Sequence, residues 1–284
     1  MNKPYYAKCY AKLNLFLHVL GKTANGYHEL DSLAVIVEDL YDELIIEESK
    51  DNQIIIEGQW KNNLSGSNIL EKVLAKFAPV IGERKFKIKL TKNIPIAAGL
   101  GGGSSNAAEL IKFIITKFNL KLSETEITDY CVAIGADVPM FFYNKALYFN
   151  GIGEIISPIK TIPPLYALLV YPKILISTSE VFHKGFKEYK KKTDHQYSFK
   201  TTEELLRYLK HTSNDLFANS LALEPQLQNV VQAIKENNGC KLARMSGSGS
   251  TCFGLFTNIK QAKAALNALQ KKNPHYSIYV SKLK

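Results

Sequence analysis

Glycine fills four of the five positions from Gly99 to Gly103, directly before a segment with helical spacing. Glycine permits positive φ angles and lets a backbone approach a ligand closely. The following helix offers unpaired N–H groups and about half a positive charge at its N-terminus, and Ser104 and Ser105 add hydroxyl donors in its first turn. The arrangement predicts a phosphate-binding loop. A flexible turn without a ligand is the less favoured alternative, because ordering so many glycines costs entropy.

Three common phosphate-binding motifs do not fit this segment. A Walker A loop ends in Gly-Lys-Ser or Gly-Lys-Thr, whereas Gly103 is followed directly by Ser104. The dinucleotide fingerprint G-x-G-x-x-G requires a glycine where Ser104 stands. A protein kinase would also carry an H-R-D sequence, which the chain lacks.

Composition narrows the class of protein. The chain has 284 residues, which suggests about two domains, and its 46% apolar and 22% charged residues exclude a disordered chain or a small disulfide scaffold. Its formal charge of +10 favours anionic partners, which are nucleic acid, an anionic membrane or phosphorylated small molecules. No apolar run reaches the about 20 residues of a membrane span, and no secretory signal is visible, so we expect a cytoplasmic protein. The spacing of the four cysteines and six histidines predicts free thiols and no local metal motif.

Apolar periodicity predicts the α+β class, because strands and helices mix without strict βαβ alternation. The first half is expected to hold strands interrupted by two helices, one running from a cap at Ser67 to about Gly82 and one following the glycines. The expected strands of that half are residues 11–20, 33–37, 44–48, 53–57 and 85–91. In the second half we expect strands at 165–172, 241–245, 251–256 and 276–282, helices at 179–190, 202–210, 226–236 and 259–272, and a polar surface loop at 188–200. The glycines and prolines of 151–164 predict the boundary between domains 1–157 and 158–284.

Two charged residues stand out against apolar surroundings. Lys12 and Asn14 alternate with leucines in a strand pattern, so they share one face of that strand. Burying an ammonium without a partner is costly, which favours a functional cation, with an edge-strand lysine as the alternative. Asp137, in the sequence G-A-D-V-P, lies outside a regular helix and by itself fits a helix cap or a turn.

Four motifs together resemble those of the GHMP kinases. They are PIAAGLGGGSSNAA, YAKLNLFL with GKTANGYHELDS, IGADVPMFF and MSGSGSTCFGLF, and they span the chain from about Ala11 to Phe256. The resemblance implies a two-domain fold, with a ribosomal-protein-like ATP-binding domain, a ferredoxin-like C-terminal domain and an active site in the cleft between them. AKLNL with GYHEL is similar to the members that phosphorylate the 2-hydroxyl of a cytidine diphosphate-linked methylerythritol, in the non-mevalonate route to isopentenyl diphosphate. Their loop often begins with more glycines, where this chain has Ala97 and Ala98.

The resemblance also implies roles for particular residues. Asp137 would accept the proton of the substrate hydroxyl, with Lys12 beside it to orient it and to screen charge on the γ-phosphate. ATP would be held by Pro95, Ala97, Ala98, Gly99, Leu100, Gly101, Gly102, Gly103, Ser104 and Ser105, with Asn68 and Lys92 near the adenine. The second substrate would contact Asn14, Tyr27, His28, Asp137, Thr178 and Phe182. Tyr27 and Phe182 would stack on the cytosine, adding roughly 1–3 kcal/mol per stacked base. Mg²⁺ is expected with ATP, without an assigned protein ligand.

Other interpretations stay open at this point. Another GHMP kinase, acting on homoserine, mevalonate or a sugar, is disfavoured because those substrates carry no cytosine for the GYHEL segment. The positive charge would also suit a nucleic-acid-binding protein, but the basic residues are scattered, and the densest run is Lys190, Lys191 and Lys192. We therefore expect small-molecule partners, neither nucleic acid nor a membrane, and a monomer or homodimer.

Overall fold

The structure is a computed structural model that describes residues 3–24, 26–63 and 68–284. Its internal contacts divide the chain into two units that are each discontinuous in sequence. Unit one contains the described residues of Met1–Ala11, Leu40–Ile96 and Gly101–Asn144. Unit two contains those of Lys12–Asp39, Ala97–Leu100 and Lys145–Lys284. The boundary between residues 157 and 158 stays a prediction.

Unit one is a sheet with helices. It holds the first residues of strand β1 (Tyr5–Lys22), the last part of β2 (His28–Ser49), and all of β3 (Gln53–Glu57) and β4 (Lys85–Thr91). β4 pairs antiparallel with β2 and parallel with β3. The helices of this unit are α1 (Ile69–Lys76), α2 (Ala78–Ile81), α3 (Gly102–Lys117) and α4 (Glu124–Ile134), with short 3₁₀ helices at Lys61–Asn63 and Pro139–Phe142.

The predicted strands and helices of the first half need three corrections. The strands expected at 33–37 and 44–48 are parts of the single strand β2. The helix expected to begin at Ser67, which lies outside the described residues, is capped by Asn68. It is interrupted at Phe77, after which Ala78 and Pro79 begin α2. Helix α4 was not predicted, although Ser123 and Glu126 form the reciprocal hydrogen bonds of a capping box at its start.

Unit two contains a four-stranded antiparallel sheet in the order β10–β7–β9–β8. The strands of this unit are β5 (Leu147–Gly151), β6 (Ile155–Pro158), β7 (Tyr166–Tyr171), β8 (Leu242–Met245), β9 (Cys252–Phe256) and β10 (Ser277–Lys282), and β5 pairs with the first part of β2. The helices are α5 (Thr178–His183), α6 (Thr202–Lys210), α7 (Phe217–Leu223), α8 (Leu227–Lys235) and α9 (Ile259–Lys272). Helices α8 and α9 pack on the four-stranded sheet and close a core that includes Leu168, Val230 and Phe256.

One prediction for unit two is wrong and a second is incomplete. The helix expected at 179–190 ends at His183, because Gly185 turns the chain with a φ of 72°. The stretch 188–200 has little regular structure but is not simply a surface loop, since Phe199 is fully buried and His195 is 6% exposed by its side chain. His195 Nε2 lies 2.7 Å from Asp31 Oδ1 on β2, which anchors the stretch.

The α+β class is confirmed, and the four cysteines, all in described ranges, are free thiols. Among the helices of the described residues, none combines the length and hydrophobicity that a membrane span requires.

Candidate active site

The glycine segment (residues 95–105) leads from β4 into α3. Gly99 and Gly101 have φ angles of 74° and 69°, which favour glycine, and Gly101 is the N-cap of α3 without a side-chain cap. A Cβ atom on Gly99 would lie 2.4 Å from the carbonyl oxygen of Ser246, so the backbone itself requires a glycine there. The first N–H groups of α3 have no acceptor within the helix, and its first turn carries no acidic residue. This helix start is suited to an anion.

The remaining predicted residues of the segment differ in exposure. Ala97 and Gly103 are exposed, Gly102 and Ser104 are half-buried, and Pro95, Ala98, Leu100 and Ser105 are buried. Ala97 has a φ of 52°, which is unusual for a residue with a side chain.

Lys12 and Asn14 lie in unit two, next to the serine–glycine turn (residues 246–250) that joins β8 to β9. The Lys12 ammonium donates to Asn14 Oδ1 at 2.5 Å, and Lys12 is only 4% exposed. The backbone N–H of Asn14 donates to Ser246 Oγ at 3.1 Å, and Ser246 Oγ donates to the carbonyl of Gly99 at 3.2 Å. The predicted Lys12–Asn14 pair therefore lies close to the part of the glycine segment that belongs to the same unit.

Backbone hydrogen bonds strengthen this arrangement. The N–H of Lys12 donates to the carbonyl of Leu100 at 3.0 Å, and the N–H of Thr251 donates to the carbonyl of Ala98 at 3.2 Å. Asn214 Nδ2 donates to the carbonyls of Met245 and Gly247, both at 2.8 Å, and so holds the serine–glycine turn in place. Sequence reasoning recognised the turn as a motif but missed Asn214, since nothing near it in sequence indicates these acceptors.

Lys92 lies in unit one and is 3% exposed. Its ammonium forms an ion pair with Asp42 and donates to Asn106 Oδ1 at 3.1 Å. Asp42, which sequence reasoning also missed, accepts from Asn106 Nδ2 at 3.0 Å and from the backbone N–H groups of Asn93 and Ile94 at 2.8 Å each. One fully buried carboxylate thus joins the residues before the glycine segment to the first turns of α3.

Asn68 and Asp137 also lie in unit one. The Asn68 side-chain oxygen accepts from the N–H of Leu70 at 3.0 Å as the cap of α1, while its buried Nδ2 has no partner among the described residues. Asp137 is half-buried in the turn between α4 and the 3₁₀ helix Pro139–Phe142. Lys112 on α3 donates to the carbonyl of Phe141 at 2.8 Å, which fixes that 3₁₀ helix. Because Lys12 belongs to unit two, its pairing with Asp137 stays a prediction.

Aromatic side chains gather around His28 in unit two. The rings of His28 and Phe182 lie 5.0 Å apart at an angle of 30°, and Tyr27, which precedes His28 in the chain, is 60% exposed. Thr178 Oγ1 lies 2.8 Å from Ser248 Oγ, which ties the start of α5 to the serine–glycine turn. Asn25, in the GKTANGYHELDS motif that contains Tyr27 and His28, lies outside the described residues.

Burial lowers the pKa of His28 below its ordinary value of 6.5, and the charges of Lys22 and His183 lower it further. The imidazole is therefore neutral at pH 7 and offers one donor and one acceptor. Such a ring can pair with the hydrogen-bonding edge of a nucleobase.

The possible metal ligands of the chain are its His, Cys, Asp and Glu side chains. Within residues 3–24, 26–63 and 68–284, no group of three or more His, Cys, Asp or Glu side chains is placed to hold a metal ion.

Comparison with known proteins identifies the class. The family model for the GHMP kinases N terminal domain matches residues 68–145, and the model for GHMP kinases C terminal matches residues 198–275, so the class is that of the GHMP kinases.

Individual relatives narrow the class further. The chain is 33% identical over 273 residues to the 4-diphosphocytidyl-2-C-methyl-D-erythritol kinase of Chelativorans sp., covering 94% of this chain and 92% of that one. It is 36% identical over 284 residues to the kinase of the same name from Wolbachia pipientis wMel, covering 96% of each chain. A crystal structure of 4-(cytidine 5'-diphospho)-2C-methyl-D-erythritol kinase matches with a TM-score of 0.79 and 26% identity, covering 98% of this chain and 99% of the other. The chain belongs to the family of 4-diphosphocytidyl-2-C-methyl-D-erythritol kinases.

Proposed function

We propose that this protein transfers the γ-phosphoryl group of ATP to the 2-hydroxyl of 4-diphosphocytidyl-2-C-methyl-D-erythritol, giving the 2-phosphate and ADP. The observation that carries this proposal is that relatives of this name are 33% and 36% identical over more than nine-tenths of both chains. The reaction belongs to the non-mevalonate route to isopentenyl diphosphate.

The glycine segment is the proposed site of the ATP phosphates. The open N–H groups at the start of α3 and the absence of acidic residues from its first turn support this role. The proposal includes Mg²⁺ on the phosphates, where it would supply positive charge to the transferring group, and no protein ligand is assigned to it. Among the described residues Asn68 Nδ2 has no hydrogen-bond partner, which supports a polar contact with the adenine. The ammonium of Lys92 is already engaged by Asp42 and Asn106. Its proposed role near the adenine is therefore indirect, because it holds the start of α3 that follows the glycines.

The cytidine end is proposed to bind at His28, with Tyr27, Thr178 and Phe182 around the base. The neutral imidazole of His28 supplies a donor and an acceptor for the cytosine edge. The exposed ring of Tyr27 and the ring of Phe182 supply apolar faces for stacking.

The proposed chemistry uses Asp137, Lys12 and Asn14. The proton of the substrate hydroxyl passes to the Asp137 carboxylate as the hydroxyl oxygen bonds to the γ-phosphorus and the bond to the bridging oxygen of ADP breaks. Lys12 provides positive charge for the transferring group, and Asn14 orients its ammonium. The proximity of Lys12 to the glycine segment within unit two supports this role.

The direct test is an incubation of the protein with ATP, magnesium and 4-diphosphocytidyl-2-C-methyl-D-erythritol. We expect stoichiometric ADP and a new phosphomonoester at the 2-position, observed by ³¹P NMR. Parallel incubations with homoserine, mevalonate and galactose test the other GHMP kinase activities. Phosphorylation of one of these, with the cytidyl compound unchanged, would show that the proposed substrate is wrong.

A further inference from the structure

Phe186 is not among the residues that motif resemblance identifies, yet its ring contacts the proposed cytosine-binding histidine. The Phe186 and His28 rings lie 5.2 Å apart at 68°, and the Phe186 and Phe182 rings lie 6.1 Å apart at 62°. His28 therefore has one aromatic ring tilted by 30° to it, from Phe182, and a second, from Phe186, at a steep angle. Such aromatic pairs contribute about 0.5–1.5 kcal/mol each beyond burial, enough to favour one orientation of the imidazole.

A turn after helix α5 places the Phe186 ring against His28. Helix α5 ends at His183, and Gly185 reverses the chain with a φ of 72°, although a Cβ atom there would meet nothing within 4 Å. The requirement for glycine at 185 is thus conformational and not one of space. Asn219 on α7 donates from Nδ2 to the carbonyls of Val181 at 3.0 Å and Gly185 at 2.9 Å, so a second helix holds the turn.

We propose that Phe186 is a positioning residue for cytidine recognition, which fixes the His28 ring and shields it from water so that it presents its nitrogens to the cytosine edge. This inference rests on the proposed function, because it gives the cytidine end of that substrate a further determinant. Phe186 acts through His28 and takes no part in phosphoryl transfer.

The shielding has a measurable consequence. Burial is the largest cause of the lowered pKa of His28, and the charged or titratable neighbours that also lower it are Lys22 and His183. Removing the Phe186 ring admits water to the imidazole and should raise the pKa of His28 toward its ordinary value. A side chain that merely fills space elsewhere would leave this pKa unchanged.

The test compares Phe186→Ala, Phe186→Tyr and Tyr189→Ala. Tyr189 is the matched control, because its ring packs on Phe186 at 6.2 Å and its residue is 47% exposed. We expect Phe186→Ala to raise KM for the cytidyl substrate roughly 2- to 10-fold, from about 0.5–1.5 kcal/mol at 1.4 kcal/mol per tenfold. KM for ATP and kcat should stay within error of the unmodified protein. For the cytidyl substrate, Phe186→Tyr should keep the KM of the unmodified protein, and Tyr189→Ala should change that KM less than Phe186→Ala does.

The second readout is the His28 titration, followed by NMR and assigned with a His28→Gln variant. Phe186→Ala should raise this pKa and Phe186→Tyr should not. Equal changes in KM for both substrates, or a fall in melting temperature with both KM and the His28 pKa unchanged, would overturn the inference. If the unmodified protein lacks the proposed activity, the proposed function fails by itself, and the titration still decides whether Phe186 controls the environment of His28.

Discussion

Replacing Asp42 with asparagine removes the carboxylate that balances the buried ammonium of Lys92. Asp42 is fully buried and Lys92 is 3% exposed, so water cannot replace the lost partner. The asparagine oxygen can still accept from the N–H groups of Asn93 and Ile94, which leaves the lost charge as the main effect. Breaking a buried ion pair from one side costs about 3–5 kcal/mol. At about 2–4 °C per kcal/mol, the melting temperature should fall by roughly 6–20 °C.

A neighbouring exposed pair provides the control. Glu47 lies on β2 like Asp42, and its carboxylate is 3.6 Å from the ammonium of Lys87 on β4, with both side chains more than 40% exposed. Glu47→Gln should therefore cost at most about 1 kcal/mol. Urea unfolding followed by circular dichroism gives both free energies, and KM for ATP shows whether Asp42→Asn also disturbs the glycine segment, since Asp42 holds the residues that precede it.

A double variant tests whether unbalanced charge is the cause. Lys92→Met in the Asp42→Asn background removes the ammonium that the first change leaves unpaired. The double variant should be more stable than the sum of the two single effects predicts, by about 1–3 kcal/mol. Additive effects, or an Asp42→Asn variant no less stable than Glu47→Gln, would refute this reasoning.

Three further predictions concern catalysis, the glycine segment and pH. Asp137→Asn should lower kcat by about 10²–10⁴-fold in a coupled ADP assay with the fold intact, and near-normal turnover would remove this residue from the proposed mechanism. Gly99→Ala should raise KM for ATP and destabilise the protein more than Gly82→Ala, measured by thermal unfolding; both have positive φ, but only at Gly99 would the added Cβ meet a backbone oxygen, at 2.4 Å. Burial lowers the pKa of His18 against the opposing charges of Asp215 and Asp31, and its Nε2 accepts from the N–H of Ser213 at 3.1 Å. Below about pH 6.5 the imidazole is therefore protonated more readily in the unfolded chain than in the folded one, so the free energy of unfolding should fall as the pH drops. This fall should be smaller in His18→Gln. Equal dependence of the free energy of unfolding on pH in both proteins, measured by urea unfolding, would contradict the assignment.

Local sequence signals determined many of the secondary-structure elements. Helix α9 and helix α6 begin and end where their patterns predict, because their Asn258 and Thr201 caps and their apolar spacing act within a few residues. Strand β4 alternates between its two faces as expected, and the glycine segment leads into a helix. The family resemblance was also available from motifs, since each motif is contiguous in sequence.

The contacts that build the candidate site were decided only by the tertiary structure. Asn14 and Ser246 are 232 residues apart, Asp31 and His195 are 164 apart, and the Asp42 carboxylate meets a lysine 50 residues away. A buried polar group must find a partner wherever the fold supplies one, and no local pattern specifies a partner at such distances. The sequence therefore predicted which residues are candidates for the chemistry, while the packing of distant segments determined which side chains surround them.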